Sequence, residues 1–144
     1  MNNLGQGRFK AYSAGSHPEN SVNPYALELL ERHQFSTENL HSKSWDVFSQ
    51  PDSPRFDFIF TVCDSAAGEA CPFWPGKPIS AHWGVEDPTA VEGSKEAKRK
   101  AFSDVFRILN RRISLFLSLP LNKLDALAIQ YEIDQIGLVC EASV

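Results

Sequence analysis

Cysteine is scarce in this sequence: 3 residues in 144, at Cys63, Cys71 and Cys140. A small, odd number excludes a secreted disulfide framework. No apolar run approaches the ~20 residues of a membrane-spanning helix. The opening Met1-Asn2-Asn3-Leu4-Gly5 has neither the basic flank nor the apolar stretch of a secretory signal. Basic charge is in deficit, with 14 Lys and Arg against 18 Asp and Glu and a formal net charge of −4. That balance speaks against a nucleic-acid-binding surface as the main function. No G-x-S-x-G elbow and no H-E-x-x-H zinc motif occurs. Gly5 and Gly7 lack the third glycine of a dinucleotide fingerprint, because residue 10 is Lys10. Internal repeats and low-complexity segments are absent too.

What is present is a globular composition, 42% hydrophobic and 22% charged. At about 150 residues per domain this is one domain, large enough to bury roughly 68–70% of its unfolded surface. The expected compartment is the cytoplasm, where nearby cysteines more often mean redox or metal chemistry than a structural bridge. Seven of the 14 basic residues fall between Lys95 and Arg112; their spacing reads as the solvated side of a long helix.

Strand and helix signals alternate. Arg8 to Ser13 reads as a short strand ended by Ala14-Gly15. Asn23-Pro24 starts a helix, with Asn as cap and Pro at the first position. A shorter helix is expected over Ser44–Ser49, broken by Pro51 and Pro54. Phe56–Val62 is aromatic and β-branched, as a covered strand is, and Ile79–Trp83 reads as another. Ser94 caps a long helix with Glu96 in its first turn and an apolar stripe through Leu109, Ile113 and Phe116. An amphipathic helix over Asn122–Ile136 closes the chain. This order predicts an α/β fold with a mainly parallel sheet. In such sheets ligands bind beyond the carboxyl ends of the strands. Ser13-Ala14-Gly15, Cys63-Asp64 and the loop holding Asp87 would then share one edge.

Three residues carry candidate chemistry. A thiolate at Cys63, near helix amides, can act as nucleophile or disulfide partner. Cys71 follows after seven intervening residues that include Gly68, a loop able to bring the sulfurs into bonding distance. A redox pair and two inert thiols both remain open on these residues alone. Asp87, before Pro88, suits a general acid or base, and equally an Asx turn. Cys63, Cys71 and His82 lack metal-site spacing and a fourth ligand. His82 reads as a strand residue with a local hydrogen bond, and Cys140 as inert.

The runs Ala11-Tyr12-Ser13-Ala14-Gly15 with Asn23-Pro24, Thr61-Val62-Cys63-Asp64, and His82-Trp83-Gly84-Val85-Glu86-Asp87-Pro88 together resemble the arsenate reductases built on the low-molecular-weight tyrosine phosphatase fold. The resemblance runs from about Arg8 to Leu119; the last helix is similar to an extension in one subgroup. Tyrosine phosphatases of this fold follow the Asp-Pro with tyrosines, whereas Thr89 and Ala90 stand here, which favours the arsenate branch.

The resemblance implies a three-layer α/β sandwich and a thiol/disulfide cascade in arsenic detoxification. A cysteine in an N-terminal anion-binding loop attacks arsenate, and Asp87 matches the aspartate that protonates the departing hydroxyl. Cys63 matches the second cysteine, which releases arsenite as a disulfide forms. Cys71 matches the third, which takes over the disulfide for an external thiol reductant: thioredoxin, or glutathione/glutaredoxin, since the Cys63–Cys71 gap is one residue longer than in the best-known thioredoxin-linked members. No bound cofactor or metal is implied; a potassium-site aspartate of some relatives falls on Ser44 here. The expected partners are arsenate or a phosphate-like oxyanion and that reductant, with no nucleic acid and no membrane.

The family's nucleophile pattern, Cys, five residues, then Arg, occurs nowhere in the chain: Cys63 plus six is Glu69 and Cys71 plus six is Lys77. The resemblance therefore implies a chain lacking the fold's first, interior strand: a fragment, or one starting at a miscalled Met, inactive alone and prone to self-association through unpaired strand edges. The expected organisation is a phosphatase-like domain over 1–120, incomplete at its N-terminus, and a C-terminal helix and tail over 121–144. The alternatives are a low-molecular-weight tyrosine phosphatase relative and a non-catalytic binding or swapped-dimer module derived from the fold.

Overall fold

The structure is a computed structural model and describes residues 1–2, 4–63, 74 and 76–139. Its centre is a pair of parallel strands, β1 (Phe58–Cys63) and β2 (Ile79–Val85). They pair in the register Phe58↔Ile79, Ile59↔Ser80, Phe60↔Ala81 and Thr61↔His82, and after a bulge Cys63↔Val85. Among the described residues three helices accompany them: α1 (Pro24–Arg32), α2 (Lys95–Leu117) and α3 (Ala126–Ile136). Short 3-10 turns occupy Trp45–Phe48, Pro88–Ala90 and Leu121–Lys123. The α/β class expected from the alternation is the one observed. No helix among the described residues is long and apolar enough to cross a membrane.

Capping chemistry sets the helix starts. The Asn23 side chain accepts from Tyr25 N at 2.9 Å, with Pro24 at the first position. Ser94 Oγ accepts from Ala97 N at 3.1 Å. The last helix departs from expectation: it starts at Ala126, with the Asp125 side chain accepting from Ala128 N at 2.8 Å. Leu121–Lys123 instead form the 3-10 turn that follows Pro120.

The core is where α2 and α3 meet one face of the strands. Trp83, Phe116 and Ile133 are its most buried side chains, joined by Ala81, Leu117, Ile129 and Ile136. The Phe116 ring meets Phe58 and Phe60 edge-on at 5.0 and 5.3 Å, and Phe60 stacks on Trp83 at 4.0 Å. Burying such rings supplies most of the stabilisation, about 25 cal/mol per Å² of apolar surface. α3 is tied to β2 by polar bonds as well: Trp83 Nε1 donates to Ile133 O at 2.9 Å, and Gln130 Nε2 to Ser80 O at 2.8 Å. α1 lies on α2 through Tyr25 against Phe102 and His33 stacked on Phe106.

Residues 8–13 are not a strand, which corrects the sequence reading. A strand is stable only when a neighbour takes its backbone groups, and among the described residues no strand lies beside this segment. Its groups go elsewhere. The Asn2 carboxamide accepts from Ala11 N at 2.8 Å and donates to Ala11 O at 3.1 Å. Apolar side chains hold the segment in place: Phe9 packs on Phe116, and Tyr12 on Phe48 and Phe56. An isolated bridge, Gly15↔Ser44, follows.

Candidate functional site

Parallel strands end on the same side, so the carboxyl ends of β1 and β2 form one edge. Cys63 is the last residue of β1 and is half-buried. Its register partner is Val85, the last residue of β2, and Asp87 follows two residues later. At ~3.3 Å per extended residue, that span keeps the aspartate near the edge on which Cys63 lies.

Asp87 is exposed and caps the 3-10 turn that follows. Its Oδ1 accepts from Thr89 N at 2.9 Å and from Thr89 Oγ1 at 2.6 Å. The Asx turn weighed against a catalytic role is therefore present. Both bonds fall on one oxygen, Oδ1, and fix the carboxylate's orientation. Thr89 is thus the residue that orients Asp87.

Behind Cys63, Thr61 Oγ1 and His82 Nδ1 meet at 2.7 Å across the register pair of β1 and β2. His82 is a strand residue with a local hydrogen bond, as its sequence context indicated. Cys71 and Cys140 lie outside the described residues. So does Asp64. Ser44 caps the Trp45–Phe48 turn by accepting from Asp46 N. Among the described residues no group of three His, Cys, Asp or Glu side chains is arranged to hold a metal.

One residue escaped the sequence reading. Arg112 falls within the basic cluster expected on the solvated side of α2, yet it is 5% exposed. Its Nη1 donates to Trp83 O at 2.8 Å and to Gly84 O at 3.2 Å, and its Nε to Val139 O at 3.0 Å. The signal that finds it is helical spacing. Arg112 stands three residues after Leu109 and four before Phe116, on the apolar stripe rather than opposite it.

Comparison with known proteins places this geometry in context. The family of low molecular weight phosphotyrosine protein phosphatases matches residues 1–127. An arsenate reductase of Halalkalibacterium halodurans is 30% identical over 105 residues, covering 73% of this chain and 72% of the relative. An arsenate reductase of Bacillus subtilis is 29% identical over 108 residues, covering 75% and 74%. One of Staphylococcus xylosus is 32% identical over 87 residues, covering 60% and 63%.

Proposed function

The chain belongs to the low molecular weight phosphotyrosine protein phosphatase family, on its arsenate reductase side, and from that premise we propose that it serves the reduction of arsenate to arsenite by relaying a disulfide from Cys63 to Cys71. The observation that best supports this is the register of β1 and β2, with Cys63 opposite Val85 and Asp87 two residues on, in a chain so similar to arsenate reductases.

The chemistry starts from a thiol–arsenate adduct on a cysteine outside the motifs of this chain, because no Cys-x5-Arg run occurs in it. Asp87 protonates the hydroxyl that leaves as that adduct forms. The Cys63 thiolate attacks the adduct's sulfur. The S–S bond forms, the S–As bond breaks, and its electron pair stays on arsenic, which leaves as arsenite. The Cys71 thiolate then attacks the Cys63 sulfur, and the first cysteine leaves as a thiolate. An external dithiol reduces the Cys63–Cys71 disulfide, taking the oxidation away. Such exchange needs thiolates within reach of a partner protein, which suits a cysteine at an open strand end. Residues 1–120 form the reductase part in this reading, and 121–144 add the helix that packs on β2. The proposed setting is the cytoplasm, whose reducing poise keeps such thiols ready.

One further element of the reading follows from what lies beside β1. Among the described residues β1 has a strand neighbour on one side only, and Phe58–Cys63 carries no charge, Pro or Gly to protect the other. Self-association through that edge is therefore part of the proposal. The purified chain, given arsenate with thioredoxin and its reductase, is expected to show no turnover on its own. A thioredoxin whose second active-site cysteine is replaced is expected to be trapped on Cys71 of the oxidised chain. Trapping of glutathione instead assigns the other reductant, and trapping of neither would remove the redox reading in favour of a non-catalytic module.

A further inference from the structure

Between the pairs Thr61↔His82 and Cys63↔Val85, β1 advances two residues and β2 three. Trp83 and Gly84 together therefore oppose Val62, the two-against-one count of a β-bulge. Bulged residues lose ladder partners for part of their backbone, and a buried carbonyl without a partner is costly. The same two residues are the ones whose carbonyls accept from Arg112 Nη1, at 2.8 and 3.2 Å. A buried guanidinium is costly in turn unless its donors are satisfied. Bulge and guanidinium thus answer each other's need, and Nε adds Val139 O at 3.0 Å.

The bulge decides what lies beside Cys63. Without the extra residue, the pair after Thr61↔His82 would be Cys63↔Gly84. A slip of one residue sends every following side chain of β2 to the opposite face. Asp87 would then stand one residue farther along and start from the other face. The planar guanidinium holds its donors in a fixed fork that meets two neighbouring carbonyls and a third group at once, whereas a lysine ammonium is a point charge on a flexible stem without that fixed geometry.

We propose that Arg112 is a positioning residue: it holds the Trp83–Gly84 bulge and thereby sets the register of Cys63 and Asp87 at the carboxyl edge of the strands. This rests on the reading of Cys63 and Asp87 as the working groups. Arg112 acts through the bulge, from the helix behind it.

The test is residue-by-residue amide exchange on the full chain, compared between wild type and Arg112→Lys, with the pH profile of Cys63 alkylation followed in parallel. In Arg112→Lys the amides of Cys63, Val85 and Glu86 are expected to exchange about tenfold faster, the effect of losing one charge-assisted bond. Those of Phe60 and Ala81, on the same two strands, should hold within about twofold, and the alkylation profile of Cys63 should move. Arg112→Gln, which keeps one donor group, is the second variant should the first not fold. Uniform acceleration along both strands would mean that Arg112 merely stabilises the fold, and would overturn the proposal. Unchanged exchange at Cys63 and Val85 would overturn it as well. Exchange uses no thiol chemistry, so its outcome is separable from a failure of the Cys63–Cys71 relay.

Discussion

Trp83 donates its indole N–H to the backbone carbonyl of Ile133 at 2.9 Å, so the strand that leads to Asp87 is fastened to the last helix. The approach is close enough to dictate the residue that ends that helix. A Cβ on Gly137 would lie 2.9 Å from Trp83 Cδ1 and 3.1 Å from His82 O. Gly137 has ordinary helical φ of −61°, so space, not backbone freedom, requires glycine. Gly137→Ala is expected to destabilise the fold by about 1–3 kcal/mol, the usual cost of overpacking. Urea unfolding followed by tryptophan fluorescence checks it.

Phe116 is 1% exposed and meets four rings, those of Phe9, Phe58, Phe60 and Trp83. Phe116→Ala leaves a cavity among them and is expected to cost about 3–5 kcal/mol. Because Phe9 is held in part by this ring, the substitution should also release residues 8–13. Calorimetry gives the stability loss, and protease cleavage after Arg8 or Lys10 reports the release.

Asp104 is held below the usual carboxylate range by the hydrogen bonds it accepts from Lys100 and then Arg107, each 2.7 Å long. A carboxyl depressed in the folded state adds stability above its unfolded pKa and loses it as pH falls through the folded value. The group is 37% exposed, so solvent screens the pairs and their worth is about 0.5 kcal/mol or less. Asp104→Asn is therefore expected to lower the melting temperature slightly at neutral pH and not at all in strong acid. Thermal melts of both proteins across that range measure it.

Much of the fold was legible because local chemistry agreed with the tertiary outcome. Asn23-Pro24 and Ser94 start helices where they should, and the apolar Phe58–Cys63 segment forms a strand. Residues 8–13 misled for the opposite reason. Their pattern is strand-like, but a strand is a property of two segments, and Asn2 takes the place of the second. The start of α3 was misplaced because Leu121–Lys123 satisfy their carbonyls in a tighter turn before Asp125 caps the helix. In the site, the shared edge of Cys63 and Asp87 follows from strand direction alone. The bulge at Trp83–Gly84 does not, because no residue type there marks it; only Arg112, a charge at an apolar spacing, hints that carbonyls wait opposite.

The disulfide relay is tested most directly by its own product. The reduced chain, treated with a mild thiol oxidant, digested and mapped by mass spectrometry, is expected to yield one intramolecular disulfide, Cys63–Cys71. Thioredoxin should return both to thiols, and Cys63→Ser should abolish the bond while Asp87→Asn leaves it intact. Recovery of Cys63 and Cys71 as two alkylatable thiols after oxidation would contradict the account.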